Sequence, residues 1–414
     1  MRLVVDLHIH SKYARGCSPR MDIPSLAAAA KTKGIRLVGT GDFTHPRYFK
    51  EIKSACVRDE ASGFLIHDGV FFVPTVETNN LFTSGDGKNR RVHTLVVMPD
   101  LESAAQFSDQ ISSVSKLGTD GRPWVRLSLA EMTEKAIGTS PKSLVIPAHI
   151  WTPWYGVFGS KGGFDSLKDA FEGQLKNIHA VETGLSSDPK MNWRCKWLDG
   201  VQLLSFSDAH SPQNLGREAS VFDLPSLTYG ELHRAICDKS LRRLERTYEF
   251  FPQEGKYFAD GHADCQVCTT PEETRKYGGR CPKCKKKITR GVLGRIDELA
   301  DRPEGEQPKD AASYTRLVPL ADLLAMALGC GKATQKPVAA YDALVGVFGS
   351  EYNVLFASPA DMMGKYRANL RSFGSLSTHH LEAIANALDK MHKCELTLTP
   401  GYDGQFGKIG LPPK

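Results

Sequence analysis

Asp6-Leu7-His8-Ile9-His10-Ser11, preceded by Leu3-Val4-Val5, is the stretch on which the fold turns. Side chains alternate along a strand, so His8 and His10 face the same side. If the strand ends at a cavity, the two imidazoles can hold one metal ion. The short apolar run before them fits a buried strand of an α/β protein. In isolation the pair reads equally well as two partly exposed histidines, so the rest of the chain has to decide.

The same pattern recurs up to about residue 245. Strands are predicted at Leu3–His8, Leu37–Thr40, Val70–Glu77, Val92–Val97, Ser143–Ala148, Ala180–Glu182 and Leu203–Ser207. Helical patterns such as Ile23–Lys33 and Phe107–Leu117 lie between several of them. That alternation predicts a parallel sheet, open or closed into a barrel. Polar residues follow the strands: His8 and His10, Asp42, Glu77, His149, then Asp208 with His210. α/β barrels carry their active sites at that end of the strands. Histidines with carboxylates suit a cluster of divalent ions, the carboxylates bridging and the imidazoles fixing each ion. Such a cluster can deprotonate a water near neutral pH and clamp a phosphoryl oxygen. Any one of these residues alone could be a hydrogen-bonded group at a strand end; their repetition in barrel order argues against that.

At 414 residues the chain is too long for one ordinary core, so two or three domains are expected. Its 53 Lys and Arg against 47 Asp and Glu give a net charge of +6, which permits a polyanionic partner without requiring one. No stretch resembles a membrane span, and the N-terminal apolar run is too short for a secretion signal. Of ten cysteines, four cluster at metal-ligand spacing, and Cys17, Cys56, Cys195, Cys237, Cys330 and Cys394 are scattered as in reduced proteins. A cytoplasmic monomer is expected.

Three regions are predicted: a barrel over 1–245, a zinc-binding domain over 246–300 and a helical domain over 301–414. Cys265-x-x-Cys268 and Cys281-x-x-Cys284 are separated by twelve residues, a spacing that can place four thiolates around a structural zinc. Metal binding would explain how a segment with so few apolar residues folds. Lys285-Lys286-Lys287 and Arg290, with Arg280 and Lys283 nearby, make this a basic module suited to phosphates. A merely solvated charged face is the competing reading. Beyond the polar Asp301–Pro308, helical patterns run over Leu317–Leu328, Val338–Phe348, Pro359–Tyr366 and His380–His392, before a glycine-rich tail from Gly401 to Gly410.

Residues 1 to about 240 resemble the polymerase-and-histidinol-phosphatase (PHP) domain. The matching segments are Asp-Leu-His8-Ile-His10-Ser, Gly-Thr-Gly-Asp42-Phe-Thr-His45, Val-Glu77, Val-His93-Thr-Leu, Pro-Ala-His149 and Ser-Asp208-Ala-His210. The resemblance implies a distorted β/α barrel with a hydrolytic site of two or three divalent metals (zinc, magnesium or manganese). It implies that His8, His10, Glu77 and Asp208 surround one ion, and Glu77, His93 and His149 a second. Many members of that family read Thr-Asp-His where this chain has Gly-Asp42-Phe43, and the family's additional early histidine has no counterpart in Lys12–Ser18. A third site is therefore expected to be reduced, or rebuilt from Asp42 or His45 beside His210.

The additions to the barrel suggest a long polymer as substrate. Trp151-Thr-Pro-Trp154-Tyr155 follows His149, and Lys190-Met-Asn192-Trp193-Arg194 mixes cations with an indole. Rings that stack and cations that bind phosphate suit an unpaired or flipped base, although these tryptophans could equally pack helices on the barrel. The whole chain resembles the endonuclease Q family, through Gly-Thr-Gly-Asp42-Phe-Thr-His45-Pro, Glu182-Thr-Gly-Leu-Ser-Ser-Asp188-Pro-Lys-Met-Asn-Trp193-Arg, the cysteine pairs and Gly401-Tyr-Asp-Gly404-Gln-Phe-Gly407-Lys-Ile. The resemblance implies hydrolysis of DNA on the 5′ side of uracil, hypoxanthine, xanthine or an abasic site, with the lesion nucleotide flipped out. Trp151, Trp154, Lys190, Asn192, Trp193, Arg194, Lys285 and Lys286 are the expected DNA contacts, and His8, His10, Glu77, His149, Asp208 and His210 the expected catalytic set. The resemblance leaves room for a replication clamp as a further partner, but no tail motif here supports one. The alternative activity is a PHP phosphoesterase for small phosphate esters, and a DNA-binding scaffold with a degenerate barrel is the non-enzymatic one.

Overall fold

Leu3, Val5 and Leu7 join one apolar cluster with Leu37, Val73, Leu95, Ile146, Leu204 and Phe206. Asp6, His8 and His10 take the alternate positions. The computed structural model describes residues 1–374 and 376–413. The strands before the zinc-binding region are β1 (Arg2–Asp6), β2 (Leu37–Gly39), β3 (Val57–Arg58), β4 (Leu65–His67), β5 (Val70–Val73), β6 (Thr75–Thr83), β7 (Asn89–Val97), β8 (Trp124–Val125), β9 (Leu144–Pro147), β10 (Ala180–Glu182), β11 (Gln202–Leu204), β12 (Ala219–Asp223) and β13 (Leu244–Glu249). Later come β14 (Asp260–His262), β15 (Val267–Thr269), β16 (Ser313–Arg316), β17 (Thr397–Thr399) and β18 (Lys408–Gly410).

The largest sheet has eight strands in the order β16-β13-β12-β1-β2-β5-β4-β3, a second has the order β8-β6-β7-β9, and β10 pairs with β11. Single backbone bonds join them into a ring. Phe43 N donates to Thr75 O (3.3 Å), Ile150 N to Glu182 O (3.1 Å) and His10 N to Ala209 O (3.0 Å). The result is a distorted β/α barrel. It is not purely parallel: β12 runs antiparallel to β1 and β13, and β7 to β6 and β9. The β6–β7 hairpin accounts for much of this, because a short turn can join only antiparallel strands.

The sheet also crosses the expected domain boundaries. β13 runs past residue 245, and β16, from the region expected to be helical, pairs with it in parallel. The helices after β16 follow the expected pattern: Leu320–Leu328, Gln335–Phe348, Pro359–Ala368 and Thr378–His392. Their buried Leu323, Leu344, Met362, Ile384 and Leu388 belong to the same apolar cluster as the barrel helices. A buried Lys33–Glu351 ion pair (2.6 Å) and a hydrogen bond from Tyr352 Oη to Gly216 O (2.6 Å) fasten them to the barrel. The polar segment after Ala300 is tied down as well, since Asp301 N and Arg302 N both donate to Arg194 O (3.0 Å).

Candidate metal centre

Strand alternation carries the donors into place. His8 and His10 leave the end of β1, Glu77 sits on β6, and His93 lies on β7 next to it. His149 and Asp208 follow β9 and β11 in left-handed backbone, with φ of 30° and 46°. That conformation costs a non-glycine residue about 1–3 kcal/mol and is held only where the surroundings demand it. The chain also crowds here: Gly184 has φ +63°, and a Cβ added to it would lie 2.4 Å from His149 Cβ.

Donor atoms of His8, His10, Glu77 and Asp208 lie within 4.8 Å of one another, as do those of Glu77, His93 and His149. His10 Nε2 stands 3.3 Å from Glu77 Oε2 and 3.1 Å from Asp208 Oδ1, and His8 Nε2 is 3.5 Å from Glu77 Oε1. On the other side Glu77 Oε1 is 2.6 Å from His93 Nδ1 and 2.9 Å from His149 Nε2. Glu77 therefore belongs to both groups: Oε1 faces His8 as well as His93 and His149, and Oε2 faces His10.

The donors fit divalent ions. His8 Nε2, His10 Nε2 and Asp208 Oδ1 are buried without a hydrogen-bond partner, an arrangement that is rare unless something else satisfies them. Burial works against a charge on His8, but the Glu182 and Glu77 carboxylates more than offset it and hold its pKa well above the ordinary value. His10 is raised in the same way, against burial, by Asp42, Asp208 and Glu77. Burial would raise Glu77, yet His93, His8 and the other rings hold its carboxyl well below the usual range. Among the converging rings, His93 is the one pushed down, by burial, to about 4. His149, which faces the same Glu77 oxygen, is raised instead, against burial, by its hydrogen bond to Glu77 and that carboxylate's charge. This field favours positive charge, which bound cations would supply in place of the protons.

Two carboxylates orient the rings from behind. His8 Nδ1 lies 2.9 Å from Glu182 Oε1, and Glu182 Oε2 also accepts the His149 backbone N–H (2.7 Å). His10 Nδ1 lies 3.1 Å from Asp42 Oδ1, whose other oxygen accepts Ser11 N–H (2.5 Å). Such contacts fix the tautomer and leave each Nε2 lone pair free for an ion. Asp42 is thus a support for His10 and stands outside both donor groups. His45 also stands outside: its Nδ1 accepts the Tyr48 N–H (3.4 Å) at the head of helix Pro46–Ala55, and its ring stacks on Tyr13 at 4.2 Å. His210 packs 4.6 Å from the His10 ring but turns Nδ1 to Asp208 O (2.9 Å), so it too lies beyond the converging donors.

The donors open into a cavity of about 550 Å³ lined by Arg15, Asn79, Arg122, Trp124, Tyr155, Lys256 and Tyr257, among others. Arg122 places Nη1 3.2 Å from Glu77 Oε2. Trp154, exposed, meets Tyr257 edge-on at 4.7 Å. Several expected DNA contacts are elsewhere. Trp151 is fully buried and donates from Nε1 to the equally buried Asn192 Oδ1 (2.7 Å), so this pair holds the barrel together. Trp193 packs edge-on against Tyr314, Arg194 pairs with Asp297 (2.9 Å) and Lys190 with Glu304 (3.6 Å), none of them lining the metal cavity. The sequence reading overlooked Glu182, Arg122 and Asn79. Glu182 ends a predicted strand, as Glu77 does, whereas no motif marks Arg122 or Asn79.

In the zinc-binding region the converging donors are His262, Cys265, Cys281 and Cys284. Cys268 stands outside and exposed, for a reason of register. In the β14–β15 ladder His262 opposes Val267 while Cys268 opposes Gly261, so His262 and Cys268 face opposite sides. One imidazole with three thiolates is an ordinary set for structural zinc. Lys285 and Lys286 are exposed on this module. Among the described residues, no helix is long and apolar enough to cross a membrane.

Comparison with known proteins places these features in context. The family model for the MJ0043 C-terminal domain matches residues 319–372. Protein MJ0043 of Methanocaldococcus jannaschii is 29% identical over 268 residues, covering 64% of this chain, and the match spans only 32% of that relative's length. Protein YqxK of Bacillus subtilis is 30% identical over 394 residues, covering 93% of this chain and 91% of its own. The crystal structure of the lesion-specific endonuclease PfuEndoQ from Pyrococcus furiosus superposes with a TM-score of 0.85 at 33% identity, covering 100% of this chain and 96% of that one. An endonuclease Q complex with a 27-mer duplex carrying an abasic lesion at the active site gives 0.84 at 33% identity, covering 100% and 97%.

Proposed function

The chain belongs to the endonuclease Q family, and from that premise we propose that it is a DNA-repair endonuclease acting on the 5′ side of uracil, hypoxanthine, xanthine and abasic sites. The observation that carries the reading is the pair of donor groups sharing Glu77, from which His93, His149 and Asp208 line one cavity. His8, His10, Glu77 and Asp208 would hold one divalent ion, zinc, magnesium or manganese, and Glu77, His93 and His149 a second. When bound, such ions lower the pKa of a water and neutralise phosphoryl oxygens. His262, Cys265, Cys281 and Cys284 would hold a structural zinc.

The chain's own residues do the rest. Arg15, Arg122 and Lys256 line the cavity and offer cations to the phosphates on either side of the cut. Exposed Trp124 and Trp154 supply rings at the mouth for an unpaired nucleotide. Flipping costs least where pairing is already poor, which favours lesions over intact pairs. Hydrolysis forms a bond from the water oxygen to phosphorus and breaks the bond from phosphorus to the 3′-oxygen. The 3′-oxygen leaves with a proton taken from solvent, and the lesion nucleotide keeps a 5′-phosphate. His210, whose pKa burial lowers, faces the cavity as a neutral ring that can accept the proton released by the water.

The test is a nicking assay with Mg2+ or Mn2+ on duplexes containing uracil, hypoxanthine, an abasic site or no lesion, beside a small phosphomonoester. Nicks only at lesions, with 3′-hydroxyl and 5′-phosphate ends, are expected, and Asp208→Asn should bind the duplex without cutting it. Phosphate release from the small ester alone would overturn the reading.

A further inference from the structure

Asn79 and Asn80 are consecutive on β6 and have opposite circumstances. Asn80 Nδ2 donates to Leu127 O (3.1 Å) and its Oδ1 accepts from Thr78 Oγ1 (2.9 Å), which satisfies a buried structural amide. Asn79 is 3% exposed and lines the metal cavity, and its Oδ1 has no partner. Leaving a buried amide oxygen unpaired costs about 1–3 kcal/mol, so a polar group kept in that state needs a reason.

Its surroundings supply one. In the sheet register Asn79 lies directly opposite His93 on β7 and beside Trp124 on β8. The His93 ring stacks on Tyr155 at 4.4 Å, so cavity-lining aromatics flank the amide on both sides. Glu77 is two residues away on the same strand face, about 6.8 Å at a strand's rise of about 3.4 Å per residue. An amide between rings, one strand step from the shared metal ligand, is placed for the base of the nucleotide whose 5′ phosphate is cut.

Resting on the function proposed above, we infer that Asn79 reads the base of the flipped lesion. Uracil and hypoxanthine both carry a ring N–H beside a carbonyl, the edge that deamination creates. A single carboxamide complements that edge: Oδ1 accepts the ring N–H while Nδ2 donates to the carbonyl. An abasic site offers no such edge, and its cleavage is independent of Asn79.

The difference between these substrates is the test. Asn79→Leu and Asn79→Ala, with Asn80 untouched, are compared with the wild type on matched uracil, hypoxanthine and abasic duplexes under single-turnover conditions. Losing a two-bond base contact is expected to lower cleavage at uracil and hypoxanthine by about 10- to 100-fold. Cleavage at the abasic site should stay within about threefold of the wild type, which also reports an intact fold and metal centre. Unchanged cleavage at uracil would overturn the inference. So would a parallel loss at the abasic site, which would make Asn79 a support of the metals or the fold. A wild type that cuts none of the three overturns the proposed function itself, and the inference with it.

Discussion

Glu182→Gln is the most informative perturbation, because it preserves shape and removes one property. Glu182 is fully buried, and its two oxygens face only donors: His8 Nδ1 at 2.9 and 3.0 Å and the His149 backbone N–H at 2.7 Å. A carboxylate can accept both, which keeps the proton on His8 Nδ1 and leaves Nε2 bare toward Glu77 and Asp208. Glutamine brings an NH2 to one of those positions. Either it faces the Nδ1 proton, or His8 changes tautomer and accepts from it. The second outcome moves the proton to Nε2, the atom needed for the ion. Loss of such an orienting partner weakens metal binding about 10- to 100-fold, or about 1.4–2.7 kcal/mol. The assay is a calorimetric Mn2+ titration of both proteins after mild chelation, with the cysteine-bound zinc checked by mass spectrometry and the fold by thermal melting. Equal Mn2+ affinity in two proteins of equal stability would refute the idea that Glu182 sets the His8 tautomer.

In the zinc-binding region, His262→Ala should lose the zinc and lower the melting temperature, whereas Cys268→Ser should retain one zinc per chain by elemental analysis. Loss of zinc from Cys268→Ser alone would restore the four-cysteine assignment. Arg122→Ala should cut slowly with Asp208-dependent metal binding intact, and Arg122→Lys should recover part of the rate; equal rates for all three proteins would remove Arg122 from the site. Burial, and for Glu218 the neighbouring Glu249 as well, pushes the carboxyls of this pair above the usual range. The folded pair therefore retains protons that the unfolded chain releases above pH about 4.3. Stability should fall as pH rises from there toward the elevated folded pKa values, by up to about 1.4 kcal/mol per pH unit for each retained proton. Glu249→Gln should flatten that slope in denaturant titrations, and a slope unchanged by the substitution would count against protons retained by the folded pair.

The ring of donors was legible because apolar runs stop abruptly at polar residues, and the backbone carries that alternation straight into the site for His8, His10 and Glu77. What lay beyond reach was direction. Asp42 has the sequence profile of a ligand, but a left-handed backbone at φ 46° aims its carboxylate at His10 Nδ1 and Ser11 N. His45 reads as a displaced ligand and is in fact spent capping a helix. Trp151 and Asn192 read as a cation-and-ring surface and are instead a buried donor–acceptor pair, joined by a bond spanning 41 residues that no local pattern contains. Cys268 shows the same limit in miniature: spacing suggests which residues can meet a metal, and strand register decides which do. Closure of the barrel by single backbone bonds, and the return of β16 to its edge, are long-range pairings with no signature in adjacent residues.

The cavity over the donors is not the barrel's alone, and this bears on what enters it. Its outer wall is Pro252, Gly255, Lys256, Tyr257 and Phe258, with Val292 from the following helix. That wall is braced by the C-terminal hairpin: Gly401 N donates to Gln253 O (2.8 Å), Gly404 N to Lys256 O (3.0 Å) and Gly407 N to Glu254 O (3.0 Å). Arg295 ties the zinc-side helix to the barrel through Phe158 O and Phe164 O (3.1 Å each). Two metals acting on a small ester would need only the barrel floor. Here the chain brings segments more than 250 residues apart to shape the mouth, and leaves Phe406 70% exposed beside Lys256, which lines it. An apolar ring held in water next to a cation and a cavity lined by converging donors suits contact with stacked bases and phosphates. The mouth is therefore built for a substrate far larger than the group being hydrolysed.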